Sequence, residues 1–173
     1  MIAFWSFAGP MADFHGWAPQ DGPAKRNLIG KTSHPKILKE GVYGRHGFHT
    51  TTNTLDGKME AYEARPKDKG SYPGIVVLME AFGLNDHIKK VTERIAQEGY
   101  VAIAPDLYHR ESERVVLYSD LQKAIGIMNR LQDPKVMDDV GAAIAHLKSQ
   151  SIVKAGSIGV TGFCMGGRFT YLS

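Results

Sequence analysis

The 173-residue chain holds a single cysteine, Cys164. No intrachain disulfide can form, so an oxidising compartment offers the chain nothing. Long hydrophobic runs are missing too. The start, Met1-Ile2-Ala3-Phe4-Trp5-Ser6-Phe7-Ala8, is apolar but short, has no basic residue ahead of it, and is followed by Pro10 and Asp13. That makes a poor signal peptide and is far too short for a membrane span. With no twin arginine near the start either, a cytoplasmic location is the default expectation. Basic runs are also lacking: 21 Lys and Arg against 18 Asp and Glu leave a net charge of +3, spread too thinly for a nucleic-acid or anionic-membrane surface. The expected partner is a small molecule, and the expected state a monomer or weak homo-oligomer. His46 and His49 would suit a metal if they lay on a helix, but Gly47 and the strand-like context oppose that, and no metal is expected.

What is present is ordinary globular composition, 43% hydrophobic and 23% charged, enough for one domain with a core. Residues 1–47 hold much Gly, Pro, His and Lys without sustained periodicity and read as a loosely ordered extension, in which Phe4, Trp5 and Phe7 could dock on a surface. Order begins near Phe48. Thr50-Thr51-Thr52, the turn signal Asp56-Gly57 and the alternating stretch 58–64 predict an antiparallel hairpin. Gly74 to Met79 is a continuous apolar run, as in a strand buried on both faces. Asn85 or Asp86 can cap a helix whose inner face carries Ile88, Val91, Thr92 and Ile95, with Gly99 past its end. Tyr100 to Ala104 is a second buried strand, so 74–104 is a βαβ unit with parallel strands and a right-handed crossover. A loop over 106–118, a short helix over 119–130, and a helix capped by Asp133 with Pro134 at its first position follow. Val136, Val140, Ile144 and Leu147 form that helix's buried stripe. Residues 157–161 form the next strand, and a last helix begins after Gly162. Alternating strands and helices predict an α/β fold with a mostly parallel sheet.

The chemistry concentrates at Gly162-Phe163-Cys164-Met165-Gly166-Gly167. A lone cysteine is most often a small buried hydrophobe. Here its neighbours spell the G-x-nucleophile-x-G form of a nucleophile elbow, with cysteine in place of serine, between a buried strand and a helix. Such a turn is tight, so Gly162 and Gly166 must be nearly free of side chain. It lifts the sulfur to the C-terminal edge of the sheet, over a helix N-terminus that favours thiolate. The backbone N–H of Met165 points to where an oxyanion would form. A dinucleotide-binding fingerprint matches only in part: Arg168 stands where it wants glycine, and the motif follows a late strand rather than the first.

Glu80 follows the buried run 74–79 directly, at the same sheet edge as Cys164. Taken together, Leu78-Met79-Glu80-Ala81-Phe82-Gly83-Leu84-Asn85, the stretch from Glu93 to Tyr108 containing Pro105-Asp106-Leu107-Tyr108, and the Gly-Phe-Cys-Met-Gly-Gly elbow resemble the dienelactone hydrolase family of α/β-hydrolases over residues 48–173. The resemblance implies an α/β-hydrolase fold and hydrolysis of small carboxylic esters or enol-lactones, carboxymethylenebutenolidase-like, through a cysteine acyl-enzyme without metal or organic cofactor. It implies Cys164 as nucleophile, Glu80 as the carboxylate that helps deprotonate the thiol, and the backbone N–H groups of Ala81 and Met165 as the oxyanion hole. A free thiol has a pKa near ~8.5, so only a few per cent is thiolate at neutral pH without such help. Asp106, Tyr108, His109 and Arg110 also follow a strand end and are candidates to line the site; Arg168 is read as a helix-surface residue that could approach an anion.

The family's triad runs nucleophile, acid, histidine, yet all seven histidines precede Cys164, so His109 is not assigned to a triad. The chain ends nine residues after Cys164 and reads as a fragment lacking the triad Asp and His, with little or no turnover alone. The strand at 157–161 is expected to present an open apolar edge. Two other readings are a non-catalytic α/β binding or interaction module and a nicotinamide-binding oxidoreductase.

Overall fold

The computed structural model describes residues 4–7, as backbone, and residues 47–173. Apart from those first four and Gly47, the extension read over 1–47 lies outside the described residues, as do His46 and the side chains of Phe4, Trp5 and Phe7.

Six strands form one sheet in the order β1-β6-β4-β5-β3-β2. They are β1 (Phe4–Phe7), β2 (Gly47–Thr54), β3 (Gly57–Ala64), β4 (Tyr72–Leu78), β5 (Val101–Pro105) and β6 (Val153–Gly162). The helices are α1 (Asp86–Gln97), α2 (Leu121–Met128), α3 (Asp133–Lys148) and α4 (Met165–Leu172). The hairpin forms as predicted, with its turn one residue earlier than the Asp56-Gly57 signal. Thr54 pairs with Gly57, which leaves Leu55 and Asp56 as the loop, and Gly57 takes φ 140, a value L side chains rarely adopt.

β4 and β5 are parallel and wholly apolar at their centres, with Ile75 opposite Ala102 and Val76 opposite Ile103. α1 joins them. Asn85 is its cap, the side-chain oxygen accepting the Ile88 N–H at 3.1 Å, and its buried positions are Ile88, Thr92 and Ala96. Thr92 donates its hydroxyl to the Ile88 carbonyl at 2.8 Å, which lets a polar residue sit on that inner face. β6 lies parallel to β4 on the other side, in a register that ends with Leu78 opposite Gly162.

Two expectations are corrected. Asp133 is the first residue of α3 rather than its cap: Gln132 occupies the cap position without a side-chain hydrogen bond. The Asp133 carboxylate is instead taken by Arg168, at 2.8 and 2.5 Å, so it cannot turn back onto its own helix. The edge of β6 is not open. β1 pairs with it antiparallel, Phe4 opposite Gly162 and Phe7 opposite Gly159, satisfying backbone groups the sequence pattern leaves exposed.

Two fully buried carboxylates, Glu63 and Asp139, have no signal in the sequence pattern. Glu63, on β3, is fully buried, and its carboxylate accepts from Arg65 Nε at 2.5 Å, lies 2.8 Å from His146 Nε2 and accepts from Gln150 Nε2 at 2.9 Å. A carboxylate tolerates such a place only with its lone pairs occupied.

Candidate active site

The end of β6 fixes where Cys164 sits. Gly162 pairs with Leu78, and the Phe163 N–H donates to the Leu78 carbonyl at 3.3 Å, so the chain leaves the sheet in step with β4. Cys164 then turns sharply, with φ 52 and ψ −115, and α4 begins at Met165. Among the described residues it is the one non-glycine with positive φ. Such a conformation costs on the order of 1–3 kcal/mol and persists where the surroundings over-determine it. Here a Cβ at Gly166 would overlap the Leu78 and Met79 carbonyls, and one at Gly162 would overlap the Gly166 carbonyl. The two glycines thus let β4, the turn and α4 meet backbone to backbone, and the side chain held up by this bend is exposed rather than packed in the core.

The parallel register brings Glu80 to the same rim. Leu78 and Gly162 are opposite, so residues 80 and 164 both lie two positions past the last pair. Glu80 is half-buried. Its carboxylate accepts from the Tyr118 hydroxyl at 3.2 Å, and among the described residues no hydrogen bond joins it to Cys164. Burial holds the Tyr118 phenol above its ordinary range, with the Glu80 charge adding to it.

Tyr118 was not singled out from sequence. It belongs to a loop after β5 that is stitched to the loop after β4. Gly83 and Val115 form an isolated antiparallel bridge, the Val116 N–H donates to the Phe82 carbonyl at 3.1 Å, and the Phe82 and Tyr118 rings lie 4.4 Å apart. Gly83 is required here, because a Cβ would overlap the Arg114 carbonyl. Val115, Leu117 and Tyr118 are exposed on that loop, and of the three Tyr118 reaches Glu80.

The four candidates after β5 separate. Tyr108 turns inward, fully buried, and its hydroxyl donates to the Ala81 carbonyl at 2.8 Å. Asp106 is buried, accepts the Tyr108 N–H at 3.0 Å and lies 3.6 Å from Arg114; burial pushes its carboxyl above the usual range. His109 and Arg110 leave the rim. His109 Nε2 lies 3.3 Å from the fully buried Asp139, and Arg110 bridges Asp139, at 2.6 and 2.9 Å, to Asp56, at 2.7 and 2.8 Å. Arg168 is spent on Asp133. The pair borders a cavity of about 270 Å³ that also touches Met165 and Phe169. Among the described residues no group of three His, Cys, Asp or Glu could hold a metal ion, and no helix is long and apolar enough to cross a membrane.

The family model for the dienelactone hydrolase family matches residues 59–173. The chain belongs to the dienelactone hydrolase family. A provisionally named carboxymethylenebutenolidase of Methylorubrum extorquens is 40% identical over 117 residues, which cover 68% of this chain and 40% of that protein. One of Escherichia coli K12, equally provisional in name, is 38% identical over 162 residues, 91% of this chain and 55% of that protein. Among solved structures, a provisionally named dienelactone hydrolase from Klebsiella pneumoniae is 34% identical with a TM-score of 0.64, covering 73% of this chain and 52% of that one. The sheet and helices are accordingly those of an α/β-hydrolase. The chain spans about half the length of these dienelactone hydrolase relatives, 40% and 55% for the two sequences and 52% for the structure.

Proposed function

We infer that the protein hydrolyses small carboxylic esters or enol-lactones through a thioester on Cys164. The observation that carries this reading is the exposed Cys164 side chain at a positive-φ bend between β6 and α4, in a chain of this family. The thiolate attacks the carbonyl carbon, the π pair moves to oxygen, and the N–H groups of Ala81 and Met165 receive that oxyanion. The intermediate collapses, the C–O bond to the alcohol breaks, and the thioester remains. Glu80, two positions past the shared register pair, accepts the thiol proton as substrate arrives, after its carboxylate leaves the Tyr118 hydroxyl. The exposed apolar side chains of the loop that carries Tyr118, Val115 and Leu117 among them, suit a substrate with a hydrocarbon face.

Thioester hydrolysis needs a general base for water. All seven histidines precede Cys164, and the relatives extend over roughly twice this span, so the acid and histidine of the cycle are assigned to the portion of the relatives this chain does not cover. The 173-residue chain is then an acyl acceptor that turns over poorly. Mixing it with excess p-nitrophenyl acetate should release one equivalent of p-nitrophenolate per chain in a burst, leave an acetyl group on Cys164 detectable by mass spectrometry, and show little steady-state rate. Cys164→Ala should abolish the burst. A burst that survives in that variant, or acetylation elsewhere, overturns the reading.

A further inference from the structure

Tyr108 lies 56 residues before Cys164 in sequence and takes no part in the chemistry described above. Its side chain nevertheless touches both residues whose N–H groups are read above as the oxyanion donors. The ring is fully buried. The phenol oxygen donates to the Ala81 carbonyl at 2.8 Å and lies 3.7 Å from Met165 Sδ. Ala81 is on the loop after β4, and Met165 opens α4. The two donor positions come from separate elements, so a catalytic spacing between them requires something to fix one relative to the other.

We propose that Tyr108 is a positioning residue for the oxyanion hole, its hydroxyl setting the spacing between the Ala81 and Met165 backbone N–H groups. The inference rests on the reading of those two groups as oxyanion donors. Tyr108 is itself held at its base. Its own N–H donates to Asp106 Oδ1 at 3.0 Å, and the Asp106 N–H donates to the Glu60 carbonyl at 2.9 Å, which anchors the turn to β3. The phenol is pushed up to about 12, by burial first and by nearby negative groups, so it remains a proton donor throughout the working range of an esterase. A donor aimed at a buried carbonyl from a pinned turn is the kind of support that fixes reacting groups to within about half an ångström. Oxyanion donors act only at their proper distance from the developing charge, so loosening the pair costs rate in steps that form an oxyanion and none in steps that do not.

That asymmetry supplies the test. Cys164 in the 173-residue chain is acylated by p-nitrophenyl acetate and, separately, alkylated by iodoacetamide. In acylation the S–C bond forms, the carbonyl oxygen carries the negative charge, and p-nitrophenolate leaves. In alkylation the S–C bond forms as iodide leaves, with no oxyanion. Both rates scale with the same thiolate fraction, so their ratio reports the oxyanion hole. The ratio in the unaltered chain should exceed that of N-acetylcysteine. In Tyr108→Phe it should fall by about tenfold, less than the loss of a whole donor, while the alkylation rate stays the same. Should Tyr108→Phe fail to fold by circular dichroism, Met165→Leu keeps the backbone N–H, removes only the sulfur, and should lower the ratio a few-fold. A ratio in Tyr108→Phe, or in Met165→Leu where that variant is needed, equal to that of the unaltered chain overturns the role of Tyr108. A ratio in the unaltered chain no higher than that of N-acetylcysteine overturns the oxyanion reading beneath it.

Discussion

Gly166 and Gly141 are the same residue type under opposite constraints. A Cβ at 166 would overlap the backbone carbonyls of Leu78, the last residue of β4, and of Met79, neither of which can step aside without moving the elbow. A Cβ at 141, mid-way along α3, meets nothing within 4 Å. Gly166→Ala should therefore destabilise the chain by about 3 kcal/mol, the upper range for forcing atoms into a packed site. Gly141→Ala should stabilise it by about 0.5–1 kcal/mol through helix propensity. Urea unfolding of both variants checks the pair, and equal effects would contradict this account of the bend. Gly162, Cys164 and Gly166 were legible in the sequence because steric exclusion in a tight turn leaves few residue types. Tyr118 was not, because its partner Glu80 lies 38 residues away and nothing in local spacing encodes that contact.

Most elements were legible for the same physical reason: burial imposes a period, and the period can be read. The apolar runs of β4 and β5 appear where the pattern puts them, and in the α3 stripe Val136, Val140 and Leu147 are buried while Ile144 is half-buried. What the pattern hides is charge inside the fold. Glu63 interrupts no run, yet it lies fully buried under α3, where His146 and Gln150 reach it. Asp139 is similar, and Arg110 ties it to Asp56 in the β2–β3 turn, so one guanidinium joins a helix to a hairpin. Removing that guanidinium leaves a fully buried carboxylate with His109 alone, and Arg110→Ala should cost about 3 kcal/mol at neutral pH. The Asp56 half contributes a pH dependence. Arg110 holds the Asp56 carboxyl well below the usual carboxylate range, so its contribution is complete above that range and is lost as pH falls through the depressed value. The gap between Arg110→Ala and the unaltered chain should thus be widest at neutral pH and narrow in acid. Urea midpoints at pH 7 and pH 2 read it directly, and a gap independent of pH would remove the ion pair from the explanation.

For the molecule as a whole, β1 covers the edge that β6 would otherwise present. A strand with unpaired N–H and C=O groups is a template for other chains. Sequence pattern alone left β6 exposed, because Phe4 to Phe7 carries too short a run to announce a strand and its partner lies more than 150 residues later. In the fold, those four residues cap the last four positions of β6, the stretch that leads into the elbow. The N-terminal strand is therefore tied to the site, since Gly162 is paired with Phe4 on one side and with Leu78 on the other. Deleting residues 1–9 should free the β6 edge, raise light scattering on concentration, and broaden the size-exclusion profile. The same deletion should lower the burst amplitude with p-nitrophenyl acetate, because the turn then hangs from β4 alone. A deleted chain that stays monodisperse, with an unchanged burst, would show that β6 needs no partner beyond β4.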